Sequence, residues 1–123
     1  MTYDEILAAI PPMTCNPGCG DCCGLVPWSP REWARVAARA PEGVILHDMD
    51  GALVPQTLTS VTCPFFDDGC TVYADRPFLC RLFGTAPANR LLACPHKCRP
   101  AVPLSRSRAD WLTMLYAREE RRR

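Results

Sequence analysis

Cys15-Asn-Pro-Gly-Cys19-Gly-Asp-Cys22-Cys23 is the stretch whose reading governs everything else in the chain. Four cysteines fall within nine residues, and the spacers are glycine, proline, asparagine and aspartate. Such residues favour turns and give the backbone freedom to aim several sulfurs at one point, so a loop is expected here rather than a helix. The two-residue gap of Cys19-Gly-Asp-Cys22 is the gap of metal knuckles, in which a turn points two sulfurs the same way. One such pair is a weak signal. Five further cysteines, Cys63, Cys70, Cys80, Cys94 and Cys98, make nine in 123 residues, and that is a strong one.

The cysteine count also bears on the compartment. Structural disulfides are rare in the reducing cytosol, so a cysteine-dense intracellular domain points to metal. Residues 1–13 carry two acids, no basic n-region and no apolar stretch of signal-peptide length, so a cytoplasmic location is expected. A secreted disulfide framework is the alternative, and an odd number of cysteines would leave it one thiol over. No apolar run reaches the roughly 20 residues of a membrane span, which argues against a membrane partner.

A chain of 123 residues makes one small domain with a modest core. Its 48% hydrophobic content includes the cysteines, and thirteen prolines interrupt it. Short elements joined by rigid turns follow, with metal coordination adding order; structural zinc contributes on the order of 10 kcal/mol in small peptides. The net charge of +1 is unevenly placed: −4 over residues 1–61, zero over 62–93 and +5 over 94–123. The basic end reads as a solvated helix terminus with cations at the negative pole of the dipole, rather than as a nucleic-acid surface, because no aromatics interleave with it.

Thr2-x-x-Glu5 is a capping box opening a helix through about Ile10, stopped by Pro11-Pro12, with Ile6, Leu7 and Ile10 on its buried face. Ser29, Pro30 and Glu32 mark the start of a second helix, with Trp33, Val36, Ala37 and Ala40 on one face and an exposed stripe of Arg31, Arg35 and Arg39 on another. Pro41 ends it. Residues 44–46 and 52–54 flank Asp50-Gly51 as a small hairpin, whose second strand Pro55 should weaken or end. Residues 63–99 should be irregular apart from a helical turn at 77–82, with Asp67-Asp68-Gly69 as a turn. A final helix should start at Ser105 or Ser107, with Trp111, Leu112, Leu115 and Tyr116 on its apolar face. These elements predict a small irregular α+β fold, mostly helical. It forms a single metal-organised domain over residues 1–123, its helices surrounding the ligand loops and its basic C-terminal helix spanning 105–123.

Thiolate suits both zinc and iron–sulfur sites. Cys63-Pro64 and Cys94-Pro95 place proline after cysteine, as ferredoxin loops do at their last ligand, which leans slightly towards an iron–sulfur cluster of the [4Fe–4S] type. His96, between Cys94 and Cys98, is within reach of contributing a ligand. His47 lies beside the hairpin, and for both histidines an ordinary surface role is the simpler reading.

Three segments, CNPGCGDCC at 15–23, CPFF at 63–66 and CTVYADRPFLCRLFG at 70–84, together resemble the YkgJ-type cysteine-cluster family of zinc- or iron-chelating domains. The family pattern runs CxxxCxxCC, then Cys-Pro-Phe, then Cys-x-x-Tyr-x-x-Arg-Pro-x-x-Cys-Arg, with a later cysteine. The resemblance spans about residues 15–94 and implies that Cys15, Cys19, Cys22, Cys23, Cys63, Cys70, Cys80 and Cys94 are the metal ligands. Tyr73, Arg76, Pro77 and Arg81 fall on its other positions, whereas Cys98 has no counterpart. Some family members are attached to enzymes that methylate flagellin lysines, where the cysteine region is associated with an iron–sulfur cluster. Eight cysteines could serve one cluster with spares or two four-coordinate sites.

Arg76 and Arg81 could offset thiolate charge and donate hydrogen bonds to sulfur, or pair with Asp67, Asp68 or Asp75. Tyr73 should pack with its hydroxyl on backbone. No Ser/His/Asp set, phosphate loop or open His-rich metal site supports independent catalysis. The leading expectation is therefore a metal-binding structural or accessory domain that meets a protein partner or a larger assembly. An iron–sulfur component of a redox or group-transfer enzyme is the second reading, and a zinc module on nucleic acid the third.

Overall fold

A computed structural model describes residues 1–13 and 23–122. The chain divides into two compact units: Met1–Cys15 with Arg81–Arg123, and Asn16–Cys80.

In the first unit, helix α1 (Tyr3–Ala8) begins with both halves of the Thr2/Glu5 capping box formed. The Thr2 backbone N–H and hydroxyl hold the Glu5 carboxyl below its ordinary value. The helix stops at Ala8 rather than at Ile10, because the residue before a proline is pushed out of the helical region. Ile10 is nevertheless buried, as are Tyr3 and Ile6, while Leu7 is only half-buried. Helix α4 (Arg106–Arg121), capped by the Ser105 hydroxyl, packs on α1 through buried Ala109 and Leu112. The Tyr3 and Tyr116 rings lie 6.4 Å apart. Leu104 N donates to Thr85 O at 2.8 Å, fastening the entry to α4 onto a fully buried threonine.

In the second unit, helix α2 (Pro30–Val36) starts on the Ser29/Glu32 box with proline at its first turn, and it tightens into a 3-10 turn over Ala37–Arg39. Strands β1 (Ile45–Met49) and β2 (Ala52–Gln56) form an antiparallel hairpin. Asp50 and Gly51 have φ of 56° and 91°, the left-handed pair of a two-residue hairpin turn. Pro55 does not end β2: it stands opposite Leu46 and is buried. Counting from the turn, the Leu46–Pro55 pair exchanges no ladder hydrogen bonds, so the missing N–H costs nothing there. Trp28 bridges the far edge of β2, exchanging 2.7 Å bonds with Leu53 in both directions. A buried cluster in this unit comprises Trp28, Val36, Phe65 and Val72, with Trp33, Ala40, Cys63 and Cys70 packed against it.

The fold is α+β, and the expectation of a mostly helical chain is not confirmed: among the described residues helix takes 35% and strand 13%. Prolines and turn residues keep α1, α2 and α3 (Phe78–Leu82) to seven residues or fewer. Only α4 is long.

Candidate metal centre

The loop from Cys63 to Cys70 closes on itself. Phe66 N donates to Cys63 O at 3.0 Å, Asp67 N to Gly69 O at 2.9 Å, and Phe66 bridges Cys70. The turn at its tip uses left-handed Asp68 and Gly69, so Asp67-Asp68-Gly69 is a turn with both carboxylates exposed. The Thr71 N–H and hydroxyl both donate to Phe65 O, at 2.9 and 2.7 Å, bringing the two ends of the loop together. Phe65 anchors the loop: it is 1% exposed, with ring centroids 5.6 Å from Trp28 and 5.8 Å from Trp33. Cys63 N also donates to Cys23 O at 2.9 Å, which ties the end of the first cysteine block to the second.

Cys80 arrives on α3, after the buried pair Pro77 and Phe78. Burial pushes its thiol far above the usual thiol range. Negative charge on Cys63 and Cys70 pushes it further, the Arg76 guanidinium pulls the other way, and Cys23 adds a smaller upward push. The Cys63 thiol is also raised by burial, against the lowering effect of the Phe65 N–H and with a further push from Cys70. Cys23, Cys63, Cys70 and Cys80, drawn from separate segments, therefore share one electrostatic neighbourhood. None of them is joined in a disulfide.

Arg76 stacks at 3.8 Å over the Tyr73 ring, and its Nε donates to Tyr73 O at 3.0 Å. Asp75 is paired with Arg39 at 2.6 Å, so one residue of the expected exposed stripe is exposed and also makes a surface ion pair. Tyr73 is 54% exposed and serves as a platform for the guanidinium, where a packed ring was expected. Arg81 follows Cys80 on α3 and is half-buried.

In the other unit, Cys94 and Cys98 flank a turn in which Lys97 N donates to Cys94 O at 3.0 Å and Lys97 is left-handed. His96, within that turn, is exposed, as is His47 on β1. Gly84, with φ +82°, leaves room for Met13: a Cβ there would stand 2.7 Å from the Met13 sulfur and 3.7 Å from Cys94 Cβ.

Cys15, Cys19 and Cys22 lie outside the described residues. Among the described residues, no three His, Cys, Asp or Glu side chains are arranged to hold a metal ion. The four neighbouring thiols thus make a ligand-rich region and not a finished shell. The donor chemistry fits a soft metal centre: desolvated sulfurs, a guanidinium close by and no carboxylate among the groups acting on Cys80. Trp28 adds a buried indole N–H with no hydrogen-bond partner among the described residues, in the cluster against which Cys63 and Cys70 pack. Thiolate bound to metal accepts such donors.

Sequence reasoning found the cysteines but missed what holds them. Phe65 gave a signal by directly following Cys63-Pro64; the buried carboxylate of Glu32 gave none beyond its helix cap. No helix among the described residues is long and apolar enough to cross a membrane. No curated protein and no solved structure matches the chain. The family pattern described as "CxxCxxCC: Putative zinc- or iron-chelating domain" matches residues 14–99, and the protein belongs to that family.

Proposed function

We propose that the protein binds an iron–sulfur cluster through cysteine thiolates and works as a structural or accessory domain in the cytoplasm, without independent catalysis. Cys23, Cys63, Cys70 and Cys80 are the ligands proposed from the Asn16–Cys80 unit, with Cys19 and Cys22 of the family motif as the remaining candidates there and Cys15 as a candidate from the other unit. The observation that carries this reading is the setting of Cys80: three other cysteines act on it electrostatically in a desolvated region, with Arg76 opposing them. Burial makes the Cys63 and Cys80 thiols costly to ionise until a cation shares their charge. When bound, the cluster supplies that cation and a net negative charge at its sulfurs, which Arg76 is placed to offset.

Cys94, in the other unit, is kept as a candidate ligand, with Cys98 and His96 as further candidates beside it. Zinc is the second reading, because the same soft donors hold it and the family description names both metals. A protein partner or larger assembly is the expected setting for an accessory domain, and the basic C-terminal helix is read as solvated rather than as a nucleic-acid surface.

The test is anaerobic purification with an absorption spectrum and assays for iron, sulfide and zinc. Brown protein with iron and sulfide in comparable amounts supports the cluster. Colourless protein with stoichiometric zinc replaces it by zinc, and a chain that takes up neither metal overturns both readings.

A further inference from the structure

Among residues outside the cysteine motifs, Glu32 is the most unusual. It is 1% exposed, and its two carboxylate oxygens face different parts of the second unit. Oε1 accepts from Ser29 N at 2.9 Å, closing the capping box in which Glu32 N donates to Ser29 Oγ at 3.2 Å. Oε2 accepts from Phe78 N at 2.6 Å, a bond spanning 46 residues. A capping box needs only the first of these bonds. The second reaches the first residue of α3, two positions before Cys80.

Helix α3 has five residues, too few to be stable alone. Its leading N–H groups have no partners within the helix, and its N-terminal end favours negative charge. The Glu32 carboxylate answers both needs at Phe78, whose ring is fully buried beside the equally buried Pro77. One side chain thus fixes where α2 starts and where the Cys80 helix starts.

We infer that Glu32 is a positioning residue for the metal centre, holding the Cys80 sulfur in place by clamping the Phe78 N–H at the start of α3. This rests on the reading of Cys80 as a ligand. The side chain touches no metal, and its effect passes through the backbone of Phe78. Loss of an outer partner of this kind costs about 10–100-fold in metal affinity in other metal sites.

The probe is Co(II), titrated into reduced, metal-free protein against a competing chelator, reading affinity together with the sulfur-to-cobalt charge-transfer and d–d bands. In Glu32→Gln the amide offers only one acceptor oxygen to the two N–H groups. In Glu32→Asp the carboxylate still caps α2 but falls a methylene short of Phe78. Both are expected to bind Co(II) about 10–100-fold more weakly and to shift the d–d bands. Ser29→Ala breaks the other half of the capping box, leaves the Phe78 bond and should keep wild-type affinity and bands.

Wild-type affinity and bands in either Glu32 variant would overturn the inference. So would a Ser29→Ala chain that behaves as Glu32→Gln does, because the effect would then be general destabilisation. Loss of the fold in both Glu32 variants, seen by circular dichroism, would also overturn it. Cys80→Ser separates the two levels: if the wild type binds Co(II) and Cys80→Ser keeps its full charge-transfer intensity, the ligand assignment fails and the inference falls with it. If Cys80→Ser loses intensity while Glu32→Gln does not, the inference alone fails.

Discussion

At the scale of single residues, the thiols and the ring beside them set the chemistry. Burial raises Cys63 and Cys80, so the folded, metal-free chain holds these protons to higher pH than the unfolded chain does. Above the usual thiol range the unfolded chain binds fewer protons than the folded one. Stability of the reduced, metal-free protein therefore falls as pH rises. The urea midpoint should drop between about pH 8 and about pH 10, and Cys80→Ser, which has no such proton to lose, should flatten the slope. An unchanged slope in Cys80→Ser would show that other groups cause it. Phe65 is the mechanical counterpart. Its ring is fully buried between Trp28 and Trp33, and Phe65→Ala should cost about 3–5 kcal/mol of unfolding free energy. Because the ring anchors the backbone whose carbonyl accepts both Thr71 donors, the variant should lose bound metal when purified at a temperature where it is still folded. Full metal content in folded Phe65→Ala would detach the anchor from the site.

At the scale of elements, what was legible in the sequence was local. Thr2/Glu5 and Ser29/Glu32 mark helix starts because a cap is a contact three residues long, and Ser105 does the same for α4. Asp50-Gly51 gave the hairpin turn for the same reason. What the sequence did not disclose depends on partners far away in the chain. Pro55 looked like a strand breaker, yet its register against Leu46 places it where no N–H is used. Glu32 looked like a cap alone, and its bond to Phe78 crosses 46 residues that no periodicity links. Arg39 is exposed as its place in the Arg stripe implies, but its ion pair with Asp75 at 2.6 Å depends on a residue 36 positions away. The hairpin gives a clean test of a local element. Every residue of β1 is exposed, so the turn matters more to it than packing does. Gly51 has φ +91° with open space where a Cβ would be, so Gly51→Ala carries backbone strain and no clash. A loss of about 1–2 kcal/mol in urea unfolding is expected, with metal per chain unchanged since the hairpin holds no cysteine. A fall in metal content would show that the hairpin supports the site after all.

At the scale of the whole molecule, the two compact units have different sources of order. Met1–Cys15 with Arg81–Arg123 has a hydrocarbon core of its own, in which Ile6, Ala109 and Leu112 are essentially inaccessible where α1 meets α4. Asn16–Cys80 contains the buried cluster Trp28, Val36, Phe65 and Val72, and two of the residues packed against it are Cys63 and Cys70. In that unit two candidate ligands are therefore part of the packing, and metal binding is expected to be coupled to folding there. Hydrogen exchange followed by mass spectrometry distinguishes the units. Removing metal with a chelator under reducing conditions should abolish slow exchange across the segments that hold Cys63, Cys70 and Cys80, including the Thr71 N–H bonded to Phe65 O. The amides of α1 and α4 should keep most of their protection, because Ile6, Ala109 and Leu112, buried where they meet, are hydrocarbon side chains. Equal loss in both units would mean that metal organises the entire chain, with Cys15, Cys94 and Cys98 as the candidate ligands in the first unit. No loss in either would mean that the aromatic cluster of Trp28, Trp33 and Phe65 is sufficient by itself, and that metal is a passenger on a fold already complete.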